Sequence, residues 1–424
     1  MGKLYKRLCK AETIWRAWSV VLENGRTSKS ARTRAEVSEF AADAPKHIQN
    51  IAWKLQRGQY RFAPAHGVAI LKKNKKGKRP VVMAPIPNRI VQRAILDIVQ
   101  TIPAIKQKLS SGRNFGGIAE AGVPKAIKEA YIASRRNGHF IRTDIKSFFD
   151  KIPREQAVSK VTRETGDAAF NEIVKLATTT ELDNLVALGR DGELFPLEEI
   201  GVAQGSALSP LLCNLLLEEF DDQMNERQIV CIRYIDDFIL FAPNRAKALA
   251  AFSGAQRHLQ GLSKELDCYS PSTSPEKAEE GATTGIFQFL GCEIQPNLIR
   301  PSRDARRRLM ERLQIVMADA LSASGTPKSA IRDRKSFVDS MHTMSNIIRG
   351  WGNTYSFCTD DRLMRDIDKN IDETLRPFRG QYFNLVNRRN AQDQRRLLGV
   401  SLIEDCIRDE SMRQLVKDLS PQKP

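Results

Sequence analysis

The residues best suited to chemistry in this chain are three aspartates. Asp236 and Asp237 are adjacent and lie between two strand-forming runs, Ile229-Val230-Cys231-Ile232 and Phe238-Ile239-Leu240-Phe241. Apolar runs of that length, rich in β-branched and aromatic side chains, predict strands. The two acids therefore fall at the tip of a hairpin, a rigid mount for a metal ligand. A two-metal site needs carboxylates from separate elements to hold ions roughly 3.5–4 Å apart. The string Phe140-Ile141-Arg142-Thr143-Asp144 supplies that second element, an apolar strand delivering Asp144 just before its pattern breaks.

Further strings accompany these acids in a fixed order. They are Gly201-Val202-Ala203-Gln204-Gly205-Ser206-Ala207-Leu208-Ser209-Pro210, then Ser274-Pro275-Glu276-Lys277, then Phe287-Gln288-Phe289-Leu290-Gly291-Cys292. Asp144 with its flanks resembles motif A of reverse transcriptases, the Gly201 string motif B, and Tyr234-Ile235-Asp236-Asp237 motif C. The last two strings resemble motif D and the primer-grip motif E. A lone Asp-Asp pair is a weak signal, because most such pairs are solvated turn acids; five ordered motifs are specific. The resemblance implies an α+β right-hand polymerase with fingers, palm and helical thumb. Its divisions would be a helical extension over 1–60, fingers over 61–140, palm over 141–154 with motif A, a second part of the fingers over 155–200, palm over 201–299 with motifs B to E, and thumb plus tail over 300–424.

Nucleotide addition is an in-line displacement, and two Mg2+ ions stabilise the attacking and leaving oxygens. Mg2+ takes hard oxygen ligands and keeps several waters, so a few aspartates suffice. The resemblance implies Asp144 and Asp236 as ligands of both ions and Asp237 as the supporting acid. Phe149, five positions after Asp144, corresponds to the aromatic that excludes a 2′-hydroxyl, which points to dNTP substrates; Phe148 is the core candidate beside it. Gln204 is placed to hydrogen-bond near the nucleotide, with Gly205 letting the backbone come close. Lys277 is placed to protonate or neutralise the pyrophosphate leaving group. Asp150 reads as a helix cap, and Asp221 and Asp222 as surface acids.

The elements that position these groups are legible in outline. Residues 1–60 read as helical, with Trp15, Trp18 and Trp53 as core. Val68-Ala69-Ile70-Leu71 and Pro80-Val81-Val82-Met83 read as strands joined by eight residues, six of them basic. By resemblance this is the fingers hairpin, with Arg79 and either Lys72 or Lys73 on the triphosphate, and Arg89 and Arg93 on the template backbone. The glycine-rich stretch 111–124 keeps only part of the family's template-contacting loop. Gly189-Arg190-Asp191-Gly192 reads as a turn, and Leu211 to Phe220 as the motif B helix. Residues 303–321 pattern as an amphipathic helix with Leu309, Leu313 and Met317 on one side. Arg303, Arg306, Arg307, Arg308 and Arg312 crowd its start. Ile347-Ile348-Arg349-Gly350-Trp351-Gly352 resembles the thumb signature of intron-type bacterial enzymes.

Composition agrees with a polyanion partner. The 424 residues carry a formal net charge of +17, which points to nucleic acid, and 41% hydrophobic residues allow a sizeable core. Seven scattered cysteines with no zinc-like spacing read as reduced thiols in a cytosolic protein. No run is long enough to span a membrane and no signal-peptide core opens the chain, so a soluble, cytoplasmic protein is expected. The resemblance implies an RNA-directed DNA polymerase making cDNA from an RNA template. It runs to standalone bacterial enzymes of the group II intron, retron and unknown-group lineage, most of all to defence-associated reverse transcriptases of type 2. That branch implies a structured non-coding RNA as partner and template, and a role against phage. Two alternatives are a template-independent polymerase of abortive-infection type and an RNA-binding intron maturase. The sequence does not specify an oligomeric state.

Overall fold

The apolar strings around the acids pair with one another. The computed structural model describes residues 2–28, 30–72, 77–111, 113–118, 121–197, 199–226 and 228–406. The chain divides into two compact units, Met1–Gly285 and Ile286–Pro424.

The first unit opens with helices α1 (Lys3–Leu8), α2 (Ala11–Arg26), α3 (Ala31–Ala42) and α4 (Ala44–Gln56). Ser30 caps α3 by accepting from the Thr33 amide, satisfying one of the donors a helix start leaves open. Trp18 is buried, its ring 4.6 Å from that of Phe40. Trp15 and Trp53 depart from expectation: they are 39% and 45% exposed. The inward stripes are Ile14, Ala17 and Trp18 on α2 and Ile48, Ile51, Ala52 and Leu55 on α4. Each exposed tryptophan follows a stripe member by one residue and so flanks the buried face. Arg57 covers the Trp53 ring at 4.3 Å.

Strands β1 (His66–Leu71) and β2 (Lys78–Met83) form an antiparallel hairpin running from the pair His66↔Met83 to Leu71↔Lys78. Lys73 lies outside the described residues. Then follow α5 (Ile86–Val99), α6 (Pro103–Ser111), α7 (Val123–Arg136), β3 (His139–Asp144), α8 (Phe148–Lys151), α9 (Arg154–Thr165), α10 (Ala168–Thr178) and α11 (Leu185–Leu188). The expected turn at Gly189 is instead a 3₁₀ helix, Gly189–Leu194. Successive i→i+3 bonds extend a turn into such a helix, and Asp191 pairs there with Lys78 at 2.6 Å.

The motif B helix is two helices, α12 (Ser209–Leu216) and α13 (Glu218–Met224), broken at Leu217. Strands β4 (Val230–Tyr234) and β5 (Asp237–Ala242), helix α14 (Arg245–Leu262) and β6 (Glu279–Ala282) complete the unit. The central sheet has the order β4-β5-β3-β6 and is antiparallel at each pairing. Phe238 to Ala242 are all fully buried. Covered on both faces, this strand reads as a continuous apolar run rather than an alternation.

The second unit starts with an antiparallel sheet of β7 (Phe287–Phe289), β8 (Cys292–Gln295) and β9 (Leu298–Pro301). Helices α15 (Arg303–Ala323), α16 (Pro327–Arg332), α17 (Phe337–Thr354), α18 (Asp361–Asn387), α19 (Ala391–Leu398) and α20 (Ile403–Cys406) follow. Leu309, Leu313 and Met317 of α15 enter a core with Met344, Ile371, Phe378 and Tyr382, as their spacing predicts. Arg303, Arg307, Arg308 and Arg312 are exposed. Arg307 is bracketed by Asp304 at 3.2 Å and Glu311 at 3.0 Å. Cys9, Cys213, Cys231, Cys268 and Cys292 are buried free thiols, and Cys358 is half-buried. Among the described residues no helix is long and apolar enough to cross a membrane.

Candidate active site

Strand register brings the three acids together. Asp144 ends β3 directly opposite Asp237, which begins β5. Tyr234 pairs with Asp237 across the β4–β5 hairpin, leaving Ile235 and Asp236 as its turn. Ile235 holds a φ of +63°, an unfavourable conformation for a β-branched residue. The Ile145 amide donates to the Asp236 carbonyl at 3.0 Å, and the Tyr269 amide to the Asp144 carbonyl at 3.1 Å. The main chain of both acids is therefore fixed.

The side chains are crowded. Burial pushes the Asp144 carboxyl up to about 7, helped by Asp236 and Asp237 and opposed by Lys277. Burial also raises Asp236, against hydrogen bonds and Arg79 that favour its charge. Asp237 is pushed up to about 6 by burial and by Asp236, with Arg142 and Lys277 opposing. The Asp144 and Asp236 carboxyls lie close enough that each perturbs the other's titration. Asp144 Oδ1 is buried with no hydrogen-bond partner. Carboxylates held from their charge in this way suit a divalent cation, which takes the deprotonated form and releases the proton. Among the described residues no three such side chains already close around one point.

A cavity of about 910 Å³ opens in front of the acids, and Lys72, Arg79, Asp144, Phe149, Gln204, Asp236 and Lys277 all line it. Asp237 stands beside it through its pairing with Asp144. Phe148 is fully buried, while the neighbouring Phe149 is half-buried with its ring edge-on to Phe148 at 6.2 Å. Lys277 Nζ lies 5.6 Å over the Tyr269 ring. Arg89 and Arg93 also line the cavity. Arg89 donates to the Ala84 carbonyl at 2.6 Å, and Arg93 pairs with Asp97 at 2.8 Å.

Two expectations need correction. Asp150 is not a helix cap: Pro153 occupies that position for α9. Asp150 lies within α8, lines the cavity and accepts from Gln204 Nε2 at 2.7 Å. Asp221 is not a surface acid. It is 5% exposed, and its two oxygens take Nε and Nη2 of Arg233 at 2.7 and 2.5 Å; Asp222 is exposed. An arginine inside an otherwise apolar strand was the sequence signal for a buried acid partner. Gly205 also comes close to the β1–β2 hairpin. A Cβ there would meet the Val82 carbonyl oxygen at 2.6 Å, and the Val82 amide donates to the Gln204 carbonyl at 2.8 Å. Sequence reasoning also missed Asn24, Ser28, Ser30 and Thr33, which line the cavity from the N-terminal helices; small polar residues in a helical region gave no signal.

Comparison with known proteins follows the same path. Protein YkfC of Escherichia coli (strain K12) is 30% identical over 187 residues, 43% of this chain and 46% of that one. The group II intron-encoded protein LtrA of Lactococcus lactis subsp. cremoris is 25% identical over 222 residues, covering 52% and 34%. The chain thus spans less than half the length of these curated relatives. Among solved structures, a telomerase of Candida tropicalis truncated from its C-terminal domain aligns with a TM-score of 0.39 and 12% identity, covering 61% of this chain and 60% of that one. The family model described as reverse transcriptase (RNA-dependent DNA polymerase) matches residues 70–294, from the β1–β2 hairpin into β8. With that match over more than half of its 424 residues and an α+β right-hand polymerase fold around paired acids, the chain belongs to the reverse transcriptase family.

Proposed function

We propose that this protein is an RNA-directed DNA polymerase that makes cDNA from an RNA template by two-metal nucleotidyl transfer. The observation that carries the reading is the strand register that sets Asp144 opposite Asp237 with Asp236 in the adjoining turn, where Asp144 and Asp236 line a cavity that Lys72 and Arg79 also line. Bound Mg2+ would supply charge stabilisation to the attacking and leaving oxygens. Asp144 and Asp236 would hold it, with Asp237 supporting. Arg79 and either Lys72 or Lys73 bind the triphosphate of the incoming dNTP. Phe149 fills the space of a 2′-hydroxyl, Gln204 holds the nucleotide's place against Asp150, and Lys277 holds a proton near the leaving pyrophosphate. Fingers over 61–140 and 155–200, palm over 141–154 and 201–299, and thumb over 300–424 are the corresponding divisions.

The form of motif B and the thumb string support a finer reading. In it, a cytoplasmic, defence-associated enzyme of type 2 copies a structured non-coding RNA bound as partner. The net charge of +17 suits such a polyanion.

The test is extension of an annealed primer on RNA by purified protein with dNTPs and Mg2+, beside Asp236→Asn, together with sequencing of copurifying nucleic acid. The expected result is template-matched cDNA from the wild type alone, and one enriched RNA. Products matching no template would favour the template-independent polymerase. RNA binding with no product under any condition would favour the maturase.

A further inference from the structure

The hairpin turn that carries Asp236 is held from behind by a buried polar network. Arg233 is fully buried, and its guanidinium is shared among three partners. Nε and Nη2 form a fork on Asp221 at 2.7 and 2.5 Å. Nη1 donates to Asn214 Oδ1 at 3.1 Å and to the carbonyl of Ile235 at 2.8 Å. Asn214 continues the chain, its Nδ2 donating to the Gly116 carbonyl at 2.7 Å. The segment Arg113–Gly116 is stitched to the same strand. The Arg233 amide donates to the Arg113 carbonyl and the Phe115 amide to the Arg233 carbonyl, both at 2.9 Å. Gly116 lies so close to the turn that a Cβ would meet the Ile235 amide nitrogen at 2.7 Å.

This arrangement costs more than stability requires. A buried ion pair seldom out-stabilises a well-packed apolar pair of the same volume. The turn it holds is itself unfavourable, because Ile235 is β-branched and left-handed at +63°. Rotation of the peptide after Ile235 would redirect Asp236 relative to Asp144, although the Ile145 amide also holds the Asp236 carbonyl. The Ile235 carbonyl is the group whose direction reports that rotation, and it is the one main-chain acceptor in the turn that Arg233 holds.

We infer that Arg233, locked by Asp221 and Asn214, is a positioning residue that fixes the Ile235–Asp236 turn and so sets Asp236 against Asp144 for cation binding. This rests on the polymerase reading above and deepens it. Lysine cannot replace this arginine, since one ammonium has no planar fork to span a carboxylate and two further acceptors.

The test separates positioning from simple stability. Arg233→Lys keeps the charge and breaks the fork. The paired change Arg233→Met with Asp221→Leu removes both buried charges together and is expected to keep the fold. Thermal melting, Mn2+ affinity by electron paramagnetic resonance, and primer extension are measured on each. The expected result for the paired variant is a melting temperature near that of the wild type, with Mn2+ affinity down about tenfold and extension down about 100-fold, the scale of an ångström of misplacement. RNA affinity should be unchanged. A paired variant that melts like the wild type and also keeps its Mn2+ affinity overturns the inference and leaves Arg233 a structural residue. Wild-type protein that binds Mn2+ yet extends no primer defeats the polymerase reading, while the Mn2+ comparison still decides the role of Arg233.

Discussion

Gln204 Nε2 and Asp150 Oδ1 lie 2.7 Å apart, joining the loop before α12 to the short helix after β3 across a gap of 54 residues in sequence. Both side chains belong to the cavity wall, which Phe149, Lys72 and Arg79 also line. If that wall seats the incoming nucleotide, Gln204→Ala and Asp150→Ala should each raise KM for dNTP about tenfold, the effect of ~1.4 kcal/mol, with kcat little changed. Steady-state kinetics on a homopolymer template decide it. Unequal effects, with only Gln204→Ala altering KM, would mean that Asp150 does not act through Gln204.

Removing one charge from the acid cluster should abolish extension and also stabilise the protein in the absence of divalent ions. Asp144 titrates near 3.8 in the unfolded chain and at about 7 in the fold. The folded state therefore binds a proton that the unfolded state has lost, and stability falls as pH rises from about 4 to 7. Without divalent ions, the wild type should lose melting temperature steadily between pH 5 and 8. Asp144→Asn should lose less, and added Mg2+ should restore the wild type most at the high end. Parallel melting curves for the two proteins would remove the proton from Asp144.

Phe149→Ala should admit ribonucleotides. Phe149 lines the cavity while Phe148 is fully buried, so truncation opens space in the cavity, although Phe149 also packs against the core. The measurement is the ratio of rNTP to dNTP incorporation, expected to rise by about tenfold or more, as when a steric exclusion of ~1.4 kcal/mol is lost. An unchanged ratio would return Phe149 to a packing role.

RNA affinity should fall steeply with salt, with a slope of about −0.7 in log K per phosphate neutralised on a single strand. Arg308 and Arg312 are exposed on α15, whereas Arg307 is already bracketed by Asp304 and Glu311. Replacing both Arg308 and Arg312 should shallow the slope by about 1.4, the share of two phosphates, and replacing Arg307 should change it less. The weakening should be alike for unrelated RNAs, because phosphate contacts carry no base information.

The parts of the site legible in the sequence were those written as local patterns. The β4–β5 hairpin and its acids follow from two apolar runs around a polar pair, and α15 from the spacing of Leu309, Leu313 and Met317. What escaped was set by contacts across long separations. Asp221 looked like a solvated acid at a helix end because its partner, Arg233, lies on a strand beyond the next loop. Asp150 looked like a cap because nothing local predicts that Gln204 will face it. Trp15 and Trp53 misled because a large apolar side chain one step off a buried stripe reads like a member of it.

The contact at Gly205 places a limit on how this protein can vary. Its φ of +121° and the Val82 carbonyl oxygen 2.6 Å from any added Cβ leave no room for a side chain. The peptide before it accepts from the same fingers strand. A randomised codon at position 205, selected for activity, should return glycine alone. The nearby codon 203 should accept other small residues, since Ala203 is buried in a satellite cluster with the side chains of Val82 and Phe195. Variation that alters nucleotide choice is thus channelled away from the loop's tightest point and toward side chains that border the cavity, such as Phe149 and Gln204.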